Sequence, residues 1–175
     1  MSKLSPELGK FFAKTIEDLS SEPGEKMTTN RAEAVLKENQ HSEVTVRGFT
    51  LVQDEPVSVM GGGKGPTPTD FFISSVALCE NVIFARNVAL NGLPIDSLET
   101  VASGTWNMKG LWEIDGADSS FKSIMVETRL RTSGPVSQAA RVAELTHRRC
   151  PIYATLRKSV SLSFKLVVNG VEVSL

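Results

Sequence analysis

Two cysteines, Cys79 and Cys150, are the only thiols in this chain of 175 residues. Two are too few for a disulfide scaffold, and they lack the four-ligand spacing of a structural zinc site. A free cysteine taken alone reads as a small buried hydrophobe. The surroundings of these two suggest more. Cys150 directly precedes Pro151, which suits a first helical position, so its thiol is placed at a helix N-terminus. There the unpaired N–H groups and the positive dipole end favour a thiolate, and Arg148, Arg149 and Arg157 add positive charge nearby in sequence. Local electrostatics therefore predict a low pKa for Cys150; the alternative is that it caps the helix as a serine would. Cys79 lies among Val76, Ala77, Leu78 and Val82, surroundings that raise a thiol pKa, and needs a cation brought from elsewhere.

Peroxide reduction by thiols asks for three things. They are a thiolate nucleophile, a cation with hydrogen bonds to stabilise it and the departing oxygen, and a second thiol that captures the sulfenic acid as a disulfide. Two cysteines can meet the first and third demands. Tertiary packing must first bring their Cα atoms within roughly 4.4 to 6.8 Å. His147 is a candidate proton relay beside Cys150 or else a helix-surface histidine, and a metal held by Cys79, Cys150 and His147 lacks a further ligand. Gly61-Gly62-Gly63 has neither a GKS/GKT ending nor a GxGxxG context, so it reads as flexible connection rather than a phosphate cradle.

The elements that must position these groups follow from periodicity and punctuation. Ser5-Pro6-Glu7 starts a helix that runs to about Leu19, with Leu8, Phe11, Phe12 and Ile16 at helical spacing. Arg31 to Leu36 and Glu43 to Val52 alternate as two strands joined by a polar turn over residues 37–42. Val44 and Val46 differ in parity from Phe49 and Leu51, which predicts a bulge at Gly48. Thr67-Pro68-Thr69-Asp70 caps a helix from Phe71 to Leu90 that is apolar nearly all round and is therefore predicted to be buried. Asn91-Gly92 and Pro94 stop it. Leu98 to Met108 and Phe121 to Thr132 read as strands, with a turn over Gly116 to Ser120 between them. Ser137 to Arg149 reads as a helix, Cys150-Pro151 opens another through Lys158, and Val160 to Val173 alternates as a closing strand. Strands grouped with helices set between the groups predict α+β rather than a βαβ parallel sheet.

Composition narrows the partners. With 19 basic and 20 acidic residues and no basic run longer than a pair, the chain lacks the electrostatic footprint of nucleic-acid or anionic-lipid binding. The apolar run around Val76 to Leu78 reads as far short of a membrane span, and Glu7 and Lys10 stand where a signal peptide needs its apolar core, so a cytoplasmic protein is expected. No cofactor is called for; a neutral small molecule is the expected substrate.

The run Val46-Arg47-Gly48-Phe49-Thr50-Leu51-Val52-Gln53-Asp54-Glu55-Pro56, then Gly61-Gly62, then Gly65-Pro66-Thr67-Pro68-Thr69-Asp70-Phe71-Phe72 leading to Ala77-Leu78-Cys79, resembles the first half of OsmC/Ohr-family proteins. Cys150-Pro151, preceded by a sheet and an Ala-rich helix, looks like their second half. The resemblance spans about Arg31 to Leu175 and divides the chain into an N-terminal helical extension, residues 1–25, and an OsmC-like domain, residues 26–175. It implies antiparallel sheets packed around a buried central helix, in an intertwined homodimer whose sites draw on both subunits. It also implies that Cys79 attacks the peroxide and Cys150 resolves it, the reverse of what local electrostatics suggest.

The family's peroxidases surround the attacking thiolate with a glutamate just before the central helix and an arginine from an early strand. Here Thr69 occupies the glutamate's place and the acid is Asp70, one position later and shorter, where a related branch of the family carries its acid; the alternative for Asp70 is stabilisation of the first helical turn. Arg47 is the arginine candidate, with a solvated strand residue as its alternative and Arg31 and Arg86 behind it. The function so implied is thiol-dependent reduction of a small organic hydroperoxide, with an external dithiol as reductant. Phe71, Phe72, Ile73 and Phe84 would favour an alkyl peroxide unless they are plain core. The competing reading is a non-enzymatic redox-sensing or small-ligand-binding dimer.

Overall fold

The computed structural model describes residues 4–158, 166–168 and 171–173. Helix α1 spans Pro6–Ser21, with Ser5 accepting the Glu7 N–H and Pro6 in the first turn. It lies on the central helix at Gly9, where an added Cβ would stand 2.5 Å from the Ala89 carbonyl oxygen, so only a glycine allows this approach. The Arg86 guanidinium sits over the Phe12 ring, 5.2 Å from its centroid.

The expected hairpin is a three-stranded antiparallel sheet: β1 Glu33–Glu38, β2 His41–Val46 and β3 Phe49–Gln53. Arg47 and Gly48 both have positive φ, 50° and 84°, and Val46 pairs with Phe49. This is the backbone of a two-residue hairpin turn, so the parity change at Gly48 marks a reversal of the chain rather than a bulge. Val35, Leu36, Phe49 and Leu51 leave this sheet with exposed apolar side chains.

The glycine loop is tethered rather than free. Asp54, 1% exposed, accepts the N–H groups of Gly62 at 3.0 Å and Lys64 at 3.2 Å on one oxygen and that of Glu55 at 2.8 Å on the other. A short 3₁₀ turn at Val57–Val59 lies within the segment so gathered.

Helix α2, Pro68–Leu90, begins with a reciprocal cap in which the Thr67 hydroxyl takes the Asp70 N–H and the Asp70 carboxylate takes the Thr67 N–H. It packs against α1, against β4 (Ser97–Trp106) and against α3 (Val136–Arg149). Its buried residues are Val76, Glu80, Ile83, Phe84, Asn87 and Val88, whereas Leu78 is 70% exposed and Val82 is also open. Within the chain the helix is thus covered on one side only, contrary to the expectation of burial all round. It is also long and apolar enough to cross a membrane by length and composition, which the sequence reading did not foresee. Here it serves as the helix on which the core is built, with Glu80 and Asn87 on its covered side.

Strands β4 and β5 (Phe121–Arg131) pair antiparallel from Ser97↔Arg131 to Trp106↔Phe121. Two short 3₁₀ turns, Met108–Trp112 and Ile114–Gly116, connect them where a simple turn was expected. Phe84, Val88, Leu93, Ile95 and Val142 form the core between α2, α3 and this ribbon. Helix α4 covers Pro151–Leu156, shorter than its expected reach to Lys158. The closing strand read over 160–173 includes two three-residue strands, β6 Leu166–Val168 and β7 Val171–Val173, which pair with each other antiparallel; the rest of that stretch lies outside the described residues.

Candidate functional site

The packing of α4 against α2 joins the two thiols. Cys79 is half-buried near the middle of α2, and Cys150 is 1% exposed at the junction of α3 and α4. Their Sγ atoms are 3.0 Å apart although 71 positions separate them, with the Cys150 S–H donating to Cys79. Neither is in a disulfide. Cys150 holds its place through its own N–H to the Thr146 carbonyl at 2.8 Å, and its sulfur accepts the Tyr153 N–H at 3.4 Å.

Burial and its donated bond to Cys79 push the Cys150 thiol up to about 11, against the smaller opposing effect of the Tyr153 N–H. The low pKa expected from the helix N-terminus is therefore not found. Helix α4 has only six residues, and the nearby cations face elsewhere: Arg149 donates to Asn87 Oδ1 at 2.6 Å, and Arg157 stands 5.9 Å from the Tyr153 ring centroid. Of the two thiols, the partly accessible one accepts a hydrogen bond and the deeper one gives it. A thiolate at Cys79 would gain from that bond, which suits Cys79 to attack and Cys150 to follow.

The other candidates lie apart from the sulfurs. The Asp70 carboxylate is engaged by the N–H and hydroxyl of Thr67, at 2.9 and 2.7 Å, and the Thr67 hydroxyl is the main cause of its lowered pKa. Arg47 is exposed on the β2–β3 turn. Arg31 pairs with Glu33, and Arg86 is over Phe12. Within one chain, no hydrogen bond or ion pair among the described residues links any of these four to Cys79 or Cys150. The aromatic cluster divides: Phe84 is in the core, Ile73 abuts Gly104, and Phe72 lines an open groove of about 620 Å³ together with Val76, Phe121, Ile124, Tyr153 and Leu156. Val76, less than one turn before Cys79, and Tyr153, bonded to Cys150, connect this groove to the thiols. Among the described residues no group of three or more His, Cys, Asp or Glu could hold a metal ion.

Sequence reasoning passed over the polar residues that support the pair. Glu80 and Asn87, two turns apart on the covered side of α2, are 2% and 1% exposed. Asn87 donates to Thr146 Oγ1 at 3.1 Å, and the Thr146 hydroxyl donates to the Val142 carbonyl, so one buried network ties α2 to the turn before Cys150. His147 Nε2 stands 3.3 Å from Glu80 Oε1. Burial raises the Glu80 pKa above 4.5, and the nearby His147 charge only partly offsets it. The overlooked signal was the heptad spacing of Glu80 and Asn87 among the apolar residues of α2.

An α+β chain with antiparallel strands, a long central helix and a cysteine on that helix facing a second one before Pro151 defines a recognisable class. A model of the OsmC-like protein family matches residues 61–165, and the chain belongs to that family. Its fold is similar to an OsmC-like protein from Mycoplasma pneumoniae, at TM-score 0.65 and 19% identity over 74% of this chain and 88% of that one. It is similar also to an OsmC-like protein of unknown function from Vibrio cholerae, at 0.62 and 14% over 74% and 94%. An organic hydroperoxide resistance protein OsmC from Legionella pneumophila matches at 0.57 and 15% over 76% and 92%. At these identities the likeness concerns the fold. No curated protein matches the chain.

Proposed function

We propose that this protein is a thiol peroxidase for small organic hydroperoxides. The observation that carries the reading is the 3.0 Å approach of the Cys79 and Cys150 sulfurs in an OsmC-like chain. The Cys79 thiolate attacks the outer peroxide oxygen, the O–O bond breaks, and the alkoxide leaves as the alcohol once protonated, with Cys79 oxidised to the sulfenic acid. Cys150 then attacks the Cys79 sulfur, the S–O bond breaks, and the Cys150 proton leaves with the hydroxide as water. An external dithiol reduces the resulting disulfide by exchange. The apolar groove beside the pair suits an alkyl or aryl peroxide.

The working unit is a homodimer in a reducing, cytoplasmic setting. Support for the dimer comes from the open Leu78 and Val82 on α2 and the apolar side chains exposed on β1 to β3. In such an assembly Arg47 of one subunit serves the thiols of the other, while Asp70 stays the cap of α2.

The test is to mix reduced protein with cumene hydroperoxide and dihydrolipoamide and to follow peroxide loss beside a Cys79→Ser control. Fast loss that disappears in the variant supports the peroxidase. The engagement of Asp70 by Thr67 favours a second reading, a redox sensor, and a disulfide that forms without turnover would select it.

A further inference from the structure

Glu80 follows Cys79 directly in α2, is 2% exposed, and neither carboxylate oxygen has a hydrogen bond in the described structure. A carboxylate buried without hydrogen bonds is unfavourable relative to an apolar residue, so its presence calls for a reason. Its ion-pair partner is His147 on α3, with Nε2 3.3 Å from Oε1. The His147 ring lies flat on Tyr153, centroids 4.6 Å apart and planes 11° from parallel, and the Tyr153 N–H meets the Cys150 sulfur. Carboxylate and imidazole are thus in direct contact, and the imidazole adjoins the buried thiol through Tyr153, with no hydrogen bond of its own to Cys150, whose S–H meets Cys79. The other ionisable groups around them are Cys79 on α2, Arg148 and Arg149 on α3, and Cys150, Tyr153 and Arg157 on α4; Arg149 is held by Asn87, and Arg157 lies over Tyr153.

We propose that Glu80 and His147 form a shared-proton pair that takes up the Cys150 proton when that sulfur attacks at Cys79, with His147 the acceptor and Glu80 the residue that positions it. As the S–H bond breaks, the sulfur electron pair makes the S–S bond, and the bond from Cys79 to its leaving group breaks. A departing hydroxide retrieves the proton as water; a departing thiolate leaves as the anion, and the proton escapes to solvent over the exposed edge of His147, whose side chain is 44% exposed. The pair supplies an acceptor on the covered side of Cys150, which is 1% exposed and whose S–H otherwise meets only Cys79.

This inference rests on the two-thiol reading, but its test needs no peroxide. Reduced protein is mixed with the aromatic disulfide dithiobis(nitrobenzoate) and the coloured thiolate is followed in time. The first release reports Cys79, and the second reports Cys150 closing the disulfide. Glu80→Gln and His147→Gln are expected to slow the second release about tenfold or more and to leave the first within about threefold. In the parent, closure rises with pH as the pair loses a proton; that rise is displaced in Glu80→Gln, and in His147→Gln only the rise from the Cys150 thiol itself, at about 11, remains.

Parent-like rates and pH profiles in both variants overturn the proposal, as does a parent in which no second release follows the first. His147→Gln, at a partly exposed position, keeps the test available if Glu80→Gln does not fold. If peroxide is not consumed while closure still depends on the pair, the peroxidase reading falls and this inference stands.

Discussion

The Cys150 thiol donates to the Cys79 sulfur across 3.0 Å, from the deeper of the two cysteines to the more accessible one. The donor is 1% exposed and is pushed up to about 11, first by burial and then by the bond it gives. Alkylation of the reduced protein with iodoacetamide, read by peptide mass, is expected to modify Cys79 first. Cys150 stays unmodified until the pH approaches about 11. Modification of Cys150 ahead of Cys79 at neutral pH would reverse the proposed roles.

Glu80 makes stability depend on pH in a direction that can be worked out. Burial raises its folded pKa above 4.5, so the folded state holds the proton more tightly than the unfolded chain does. The resulting stabilisation is complete below about 4.5 and is lost as pH rises through the folded pKa. Glutamine stays neutral throughout. Glu80→Gln should therefore melt above the parent at about pH 8 and lose that advantage under acid conditions, as scanning calorimetry at matched protein concentration can read. Combined with slower closure of the disulfide, this would be a local trade of stability for chemistry.

Asn87 joins the buried Thr146 hydroxyl to the guanidinium of the exposed Arg149. Asn87→Leu leaves the buried Thr146 hydroxyl short of its donor, while the exposed Arg149 turns to water, at a cost of about 1–3 kcal/mol in urea unfolding. Because Thr146 also accepts the Cys150 N–H, the same variant should slow disulfide closure. An unchanged unfolding midpoint would remove the network from the account.

Asp70 is occupied at the start of α2. Its carboxylate takes the Thr67 N–H and hydroxyl, so Asp70→Ala should cost about 1 kcal/mol in urea unfolding through loss of the cap. Asp70→Asn retains an acceptor oxygen and should keep peroxide consumption within about threefold. A loss of activity with normal stability would instead return Asp70 to the chemistry, through a second subunit.

Local signals identified most of the elements and little of their closure. Ser5-Pro6 and Thr67-Pro68 marked two helix starts because capping is settled within four residues. Arg47-Gly48 was misread because a bulge and a two-residue turn shift side-chain parity alike, and only the pairing of Val46 with Phe49 distinguishes them. The glycine loop looked free because its anchor, Asp54, precedes the residues it binds by up to ten positions. Helix α2 looked evenly apolar, which concealed that one side is covered within the chain while Leu78 stays open.

What the residues alone settle is an inventory with family membership: two thiols, one on an apolar helix and one ahead of Pro151, within a pattern of α+β elements. Composition and short-range spacing carry that much because capping, turns and periodicity act over a few neighbours. Which thiol is buried, which donates, and which carboxylate stands near an imidazole are decided by how α4, α3 and α2 pack together. Thiol acidity follows desolvation and contact in three dimensions, so the low pKa that the helix N-terminus suggested for Cys150 is outweighed by its burial and its bond to Cys79.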